Sequence, residues 1–262
     1  MVGASWAAML LVWATPALAQ SEPQPEAAPA VANGETEPAE DKGRFAVDVT
    51  VYGWLAGTTG EFTPFTGAPT LAFDNSFGEV LEDLDLAFFA SAHARKDSFV
   101  ALLDVSYASL SREGLVPPGI PAAGKLTQLS VTAAAGVRAV DDPARALDLL
   151  AGARLWSLDG SVEVPLAGIS ASPEKSFVDP IVAARLVTEV APRLSALAYL
   201  DIGGIGIGSD FTYQLVGTLN YRLGPSFFVS AGYRHLKLDY SDNGTVFEGS
   251  MTGPIFGLTK RF

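Results

Sequence analysis

Thirteen charged residues stand where their charges could meet: Arg95, Arg138, Arg154, Arg185, Arg222, Arg234 and Arg261, with Asp48, Asp104, Asp148, Asp179, Glu189 and Asp201. Seven cations against six acids nearly cancel, as in a hydrogen-bonded ionic network that fills an interior. Arginine suits such a network because its planar fork holds carboxylates bidentately and stays charged. The competing chemistry is a charge-lined path for ions or small solutes. A hydrolytic reading starts from the two histidines, His93 and His235. Ser91 shares the inner face with His93, while Asp83 and Asp85 lie nearer the outer rim; together they are the residue types of a Ser-His-acid site. No motif fixes their geometry, and membership of a polar network is the plainer reading of a lone inward histidine. With no cysteine there is no thiolate zinc site. Nor do paired histidines or a calcium-loop pattern occur; Ser241-Asp242-Asn243-Gly244 reads as a turn. The run Gly203-Gly204-Ile205-Gly206-Ile207-Gly208 opens no helix and precedes no basic residue, so it reads as a bent strand end rather than a phosphate loop. No catalytic residue, cofactor or metal is assigned.

The elements that carry these residues follow a period of two. In residues 44–54, Phe45, Val47, Val49 and Val51 alternate with Ala46, Asp48, Thr50 and Tyr52, so a strand would place the apolar set on one face and the mixed set on the other. The pattern recurs in ten segments, at about 44–56, 84–95, 98–110, 126–140, 145–158, 177–190, 193–205, 210–223, 226–240 and 246–262. Two faces stay ambiguous, at Phe227-Phe228 and at the end of residues 232–240. Short connections at 96–97, 141–144, 191–192 and 224–225 alternate with longer ones. In the first long one, Ser76 and Glu79 have capping-box spacing, and Phe77, Val80, Leu81 and Leu84 share a helical face. A short helix there would serve as a lid or as a packed loop.

Both a soluble sandwich and a membrane barrel have period two, with opposite faces exposed. All thirteen charged residues above lie on one face, while the other is almost uncharged over nine to eleven residues, the length of a tilted membrane-spanning strand. Lysine, the usual residue of a wet sheet face, is scarce in these strands. The expected fold is therefore all-β: a transmembrane antiparallel barrel of about ten strands, with eight as the alternative. An even strand count puts both termini on one side, the periplasmic side for an outer-membrane barrel.

Two segments precede the barrel. Residues 1–19 pair an apolar stretch with Ala17-Leu18-Ala19, the pattern of a cleaved secretory signal peptide. Residues 20–43, rich in Pro, Ala and Glu, read as a disordered acidic linker. The barrel then spans 44–262. The net charge of −12 excludes a nucleic-acid partner of the phosphate-binding kind. The terminal segment alternates Phe256, Leu258, Lys260 and Phe262, a closing strand whose last ring would sit in the interfacial aromatic belt.

The signal peptide, alternating strands and terminal aromatic resemble outer-membrane β-barrels of the OmpA/OmpW-like class. Residues 74–89, 178–186, 201–223 and 232–240 resemble more closely a family of uncharacterised exported barrels of proteobacteria. The resemblance implies that Phe256, Leu258 and Phe262 form a signal read by the barrel-assembly machinery, with Lys260 departing from the pattern. It brings no catalytic residues.

These readings converge on a bacterial outer-membrane protein with a structural, envelope-integrity or surface-interaction role. Its expected partners are outer-membrane lipid, lipopolysaccharide and the assembly machinery. A narrow channel is the alternative, and a lipid- or peptide-acting enzyme the third reading. The sequence sets no oligomeric state.

Overall fold

The computed structural model describes residues 45–262, apart from 64–65, 68–69, 117–119, 168 and 173. The expected signal peptide and linker lie outside the described residues. The chain forms β1 (Ala46–Trp54), β2 (Gly57–Thr63), β3 (Leu71–Asn75), α1 (Phe77–Glu82), β4 (Leu84–Lys96), β5 (Phe99–Val116), β6 (Ile120–Asp142) and β7 (Arg145–Val164). It continues through β8 (Ile169–Ala171), β9 (Glu174–Ala191), β10 (Leu194–Ile207), β11 (Ser209–Arg222), β12 (Phe227–Asp242) and β13 (Thr245–Arg261).

Ten of these strands close a ring. Neighbours pair antiparallel in the order β1-β4-β5-β6-β7-β9-β10-β11-β12-β13, and β13 returns to β1. Directly paired residues lead once round from Asp48 through His93, Leu102, Ala134, Gly152, Ile181, Gly203, Thr212 and Leu238 to Gly249. Asp48 itself pairs with Arg261, so the circuit returns displaced from 249 to 261, a shear of 12 residues. For ten strands that stagger corresponds to strands tilted by roughly 40° to the barrel axis. Closure satisfies both edges, which an apolar surround would otherwise leave unpaired.

The ring has a flat end and a ragged end. At the flat end, called here the turn end, tight connections join β4 to β5, β6 to β7 and β9 to β10, β1 begins and β13 finishes. At the opposite loop end, β5, β6 and β7 run beyond their neighbours, and β2 prolongs β1 along the edge of β13. Leu55 interrupts that edge but still donates its N–H to Pro254 O at 2.9 Å. β3 adds to β2, and β8 to β7. Asn243 and Gly244, both at positive φ, close the β12–β13 hairpin in two residues, the backbone sign that a tight right-twisted hairpin requires.

The alternation sorts faces as the residue types demand. Val51, Phe88, Leu103, Leu149, Leu186 and Leu258 stand exposed on the outside, forming the apolar belt of a membrane barrel. The inward set contains Asp148, Arg154, Asp179 and Asp201, each with 0% exposure. Of the two ambiguous stretches, Phe227 faces out while Phe228 lines the lumen, and Arg234, Leu236, Leu238 and Tyr240 turn inward. The helix forms where the capping box predicts. Ser76 Oγ accepts from Glu79 N at 3.4 Å, and Ser76 N donates to Glu79 Oε2 at 2.8 Å. The helix buries none of its residues and packs on β2 and β3.

Candidate functional site in the lumen

The inward side chains form three clusters stacked from turn end to loop end. Nearest the turns, Asp148 gathers three partners from three strands. Arg138 Nε donates to Oδ1 at 2.8 Å, and Arg185 Nη1 and His93 Nε2 each donate to Oδ2 at 3.1 Å. Such a carboxylate is fully desolvated yet surrounded by donors, the condition under which burial of a charge is tolerated. Val100, Ala134, Leu150, Ile181 and Ala183 pack beside it as an apolar cluster.

Further in, Arg234 Nη2 donates to Asp104 Oδ1 at 3.2 Å, and its Nη1 donates to Tyr52 Oη. Tyr52 Oη in turn donates to Asp104 Oδ2 at 2.7 Å. The guanidinium also lies 4.5 Å from the ring centre of Trp54, a cation–π contact in a dry setting. Arg154, 0% exposed, sends all its nitrogens to the lumen wall: Nε to Thr132 Oγ1 at 2.9 Å, Nη1 to Thr212 Oγ1 at 3.4 Å and Nη2 to Asp201 Oδ2 at 2.6 Å. Gln214 Nε2 adds a donor to Asp201 at 3.2 Å.

Toward the loop end the filling becomes aromatic and aliphatic. Trp54, Trp156, Leu236, Leu238 and Ile255 form one buried cluster, with Phe89, Phe177, Phe247 and Met251 packed on it. Trp156 Nε1 donates to Asp179 Oδ2 at 3.0 Å, and Asp179 Oδ1 accepts the Ser209 N–H at 2.7 Å. That second bond accounts for the last glycine of the run. A Cβ on Gly208 would come within 2.6 Å of Asp179 Oδ1 and 2.5 Å of Val178 O.

Of the charged residues expected from the sequence, the structure brings Asp104, Arg138, Asp148, Arg154, Arg185, Asp201 and Arg234 into these buried contacts. Asp179 is buried with them, but its partners are Trp156 and the Ser209 amide rather than an arginine. Arg261 grips Asp48 with two bonds of 2.7 and 2.8 Å at the turn-end rim. Arg95 bonds Asp141 at 3.3 Å, while Glu189 and Arg222 are exposed at the same rim. The neutral partners Tyr52, Thr132, Thr212, Gln214 and the two tryptophans were not assigned to the network from the sequence, although parity with Asp48, Arg138, Arg154 and Arg222 places each of them on the same face as a charge. Phe262 completes the β13–β1 edge, donating its N–H to Val47 O at 2.9 Å. Lys260, the residue that departs from the terminal pattern, lies with its ammonium 4.6 Å from the Phe262 ring centre.

The hydrolytic candidates are not assembled. The acid at His93 is Asp148, while Asp83 pairs with Arg112 and Asp85 accepts from Ser109 and Ser111. Among the described residues no hydrogen bond joins Ser91 to His93. His235 is not in the lumen: it faces outward between Tyr213 Oη at 3.0 Å and Thr252 Oγ1 at 2.6 Å. On β12 the inward parity belongs to Arg234 and Leu236, which forces His235 to the other face.

No protein-family model and no curated protein matches the chain. Solved structures do. The outer-membrane protease OmpT of Escherichia coli superposes with a TM-score of 0.52 at 12% identity, covering 83% of this chain and 97% of that one. Its fold is that of the outer-membrane β-barrels. Also similar are the translocator domain of the autotransporter NalP of Neisseria meningitidis (TM-score 0.45, 12% identity, 85% and 90% covered) and the attachment invasion locus protein Ail of Yersinia pestis (0.38, 14%, 83% and 98%). At these identities the likeness concerns architecture, and one architecture carries many functions.

Proposed function

We propose that this chain is a bacterial outer-membrane protein whose barrel is closed to solute flow, and that it serves the envelope as a structural element and through its loop-end surface. One observation carries the reading: on strand after strand, the inward residue beyond the turn-end half is buried. Trp54 follows Tyr52, Ser106 follows Asp104, Asp201 follows Tyr199, Thr212 follows Gln214 and Leu236 follows Arg234, none more than 7% exposed. Ions cannot pass a stack of matched charges and packed aromatic rings without displacing it, because cores packed at crystal-like density hold few voids of water size. In this reading the termini face the periplasm, and Phe256, Leu258 and Phe262 present the signal taken by the barrel-assembly machinery. Outer-membrane lipid and lipopolysaccharide contact the apolar belt. The narrower kinship with OmpA/OmpW-like and uncharacterised exported barrels rests on the sequence resemblance.

The test is single-channel recording of the refolded full chain in a planar bilayer. Silence from protein that migrates as folded supports the closed barrel. Steady openings of uniform size would overturn it in favour of a narrow channel.

A further inference from the structure

Where the apolar belt meets the turn end, the outer surface differs from one side of the barrel to the other. On the arc from β10 through β13 and β1 to β5, the rings of Phe45, Phe99, Tyr221, Phe227 and Phe262 all stand exposed, each within one residue of a strand's turn-end terminus. Among them lie three exposed cations, Lys96, Arg193 and Lys260. Lys260 is directly opposite Phe227 in register, and Lys96 directly opposite Phe99, so each pair shares the outer face. The Lys260 ammonium lies 5.9 Å from the Phe227 ring centre, and the Arg193 guanidinium 5.4 Å from that of Tyr221.

Among the described residues none of the three cations meets an acid. Arg193 donates from Nε and Nη2 to the carbonyls of Arg222 and Leu223 instead, at 3.0 and 2.9 Å, which leaves its charge uncancelled. The other arc, β6 to β9, is built differently. Its described turn-end residues include no aromatic ring, and its cations are matched, Arg138 by Asp148 and Asp141 and Arg145 by Asp142. The outer surface at the loop end is acidic. There Asp239 is opposite Glu248, Glu248 is opposite Glu61, and Lys237 is held by Asp239 at 3.0 Å. An anion is therefore drawn to one sector of one rim.

That sector also borders apolar surface. Lys260 has Val49 opposite it on β1, and Leu219 and Leu258 stand exposed beside it in the belt. A lysine at such a margin lays its stem along the apolar wall and keeps its charge at its edge, the layer that interfacial aromatic rings also occupy. A soluble anion would gain from the cations alone, whereas an anionic head carrying acyl chains gains from cations and wall together. In a zwitterionic head the amine offsets the phosphate, so a net negative head is preferred.

We propose that the turn-end rim of the β10–β5 arc is a docking surface for anionic glycerophospholipids, with Lys260, Arg193 and Lys96 facing the phosphate and the belt receiving the chains. This docking rests on the lipid-facing reading of the belt and adds to it a lipid class and a sector.

The chain has no cysteine, so a single introduced one takes a bimane label specifically. Val229→Cys, opposite Tyr221 on the proposed arc, and Leu186→Cys on β9 both place the label outward in the belt. The full chain is refolded into phosphatidylcholine vesicles. Quenching by phosphatidylglycerol with brominated chains, set against phosphatidylcholine with brominated chains, gives the relative affinity at each label. One lysine or arginine near an anionic surface is worth a preference of about 5-fold. Phosphatidylglycerol is therefore expected to be favoured about 5- to 25-fold at Val229→Cys, and not at all at Leu186→Cys. Lys260→Gln should lower the preference about 5-fold, and Lys260→Gln with Arg193→Gln should erase it. If the double variant does not fold, Lys260→Gln decides alone. No preference at Val229→Cys, an equal preference at both labels, or a preference that Lys260→Gln leaves intact would overturn the proposal. So would its loss to inorganic phosphate but not to chloride of equal ionic strength, which would make the sector a site for a free anion. If brominated phosphatidylcholine quenched neither label, the lipid-facing belt itself would fall, an outcome distinct from quenching without headgroup preference.

Discussion

The two halves of the lumen share one circumference, the same ten strands and the same alternation, yet one is sealed and the other hollow. Side-chain volume makes the difference. Toward the loop end the inward positions hold Trp54, Trp156, Phe89, Phe177, Leu236 and Leu238, which meet across the lumen as one cluster. Toward the turn end they hold Thr50, Ser91, Ser195, Thr218, Ser230 and Thr259, which cannot span it and leave a cavity. Backbone geometry sets how wide such a barrel is; residue choice sets whether it is a wall or a vessel. The charges are distributed with the same logic. Ion pairs deep in the stack are dry and multiply bonded, whereas those at the rim are half in water, so removal of a partner should cost very different amounts in the two places.

Arg154→Ala should give the largest effect. It strips the cation from Asp201, which stays buried with neutral donors such as the Gln214 amide, and breaking a buried pair from one side costs about 3–5 kcal/mol. The measurement is the urea unfolding midpoint in lipid vesicles. A loss below about 1 kcal/mol would mean that water reaches Asp201 and that the seal is leakier than its packing implies.

The contrast between the halves was only partly legible in the sequence. Ten strands could be read because lipid demands an apolar residue at every second position, and that demand ends where the bilayer ends. Strands β5 and β6 accordingly outrun the segments read from alternation, reaching Val116 and beginning at Ile120, through stretches such as Ser111-Arg112-Glu113 where no outward apolar face is required. β2, with the sequence Gly-Thr-Thr-Gly-Glu-Phe-Thr, has no period at all and is a strand because β13 offers it an edge. Within the site, the charged members were visible by parity, but their partners were not. That Asp148 meets His93 depends on strands 55 residues apart, and that Asp179 binds an indole rather than an arginine follows from how Trp156 fills the space.

A middle-sized effect should come from Tyr52→Phe. The ring stays to pack against Phe89, whose centre is 5.5 Å away, but Arg234 and Asp104 lose the hydroxyl that bridges them. About 1.5–3 kcal/mol is expected, the cost of hydrogen bonds to charged groups with the ion pair itself left in place. An effect as large as that of Arg154→Ala would show that the bridge and the ion pair act as one unit, which a double-mutant cycle with Asp104→Asn would measure.

Arg261→Ala tests the rim. Its pair with Asp48 is bidentate, but the arginine side chain is 50% exposed, and solvent-screened pairs contribute about 0–1 kcal/mol. The variant should unfold within about 1 kcal/mol of the parent in low salt, and closer still in high salt. If it matched Arg154→Ala, the claim that depth rather than bond count sets the cost would fail.

The smallest effect lies outside the barrel and is set by protons. Ser76 donates to Glu79 Oε2 from both its hydroxyl and its amide, at 2.7 and 2.8 Å, and these bonds hold the Glu79 carboxyl below its ordinary pKa. A carboxyl lowered in the folded state lends its support above the unfolded pKa, and that support is lost as pH falls through the folded value. Acid should therefore loosen α1 alone. The Val80 amide donates to Ser76 O at 3.0 Å, and its hydrogen-exchange protection should hold from neutral pH down to about 5, then fall as Glu79 takes up its proton. Barrel amides such as Leu215, paired with both neighbouring strands, should keep theirs. Ser76→Ala should erase the acid step by removing the hydroxyl that senses it. Loss of barrel protection at the same pH would instead mean that the capped turn is tied to the ring, and that the helix on β2 and β3 helps hold the loop end shut.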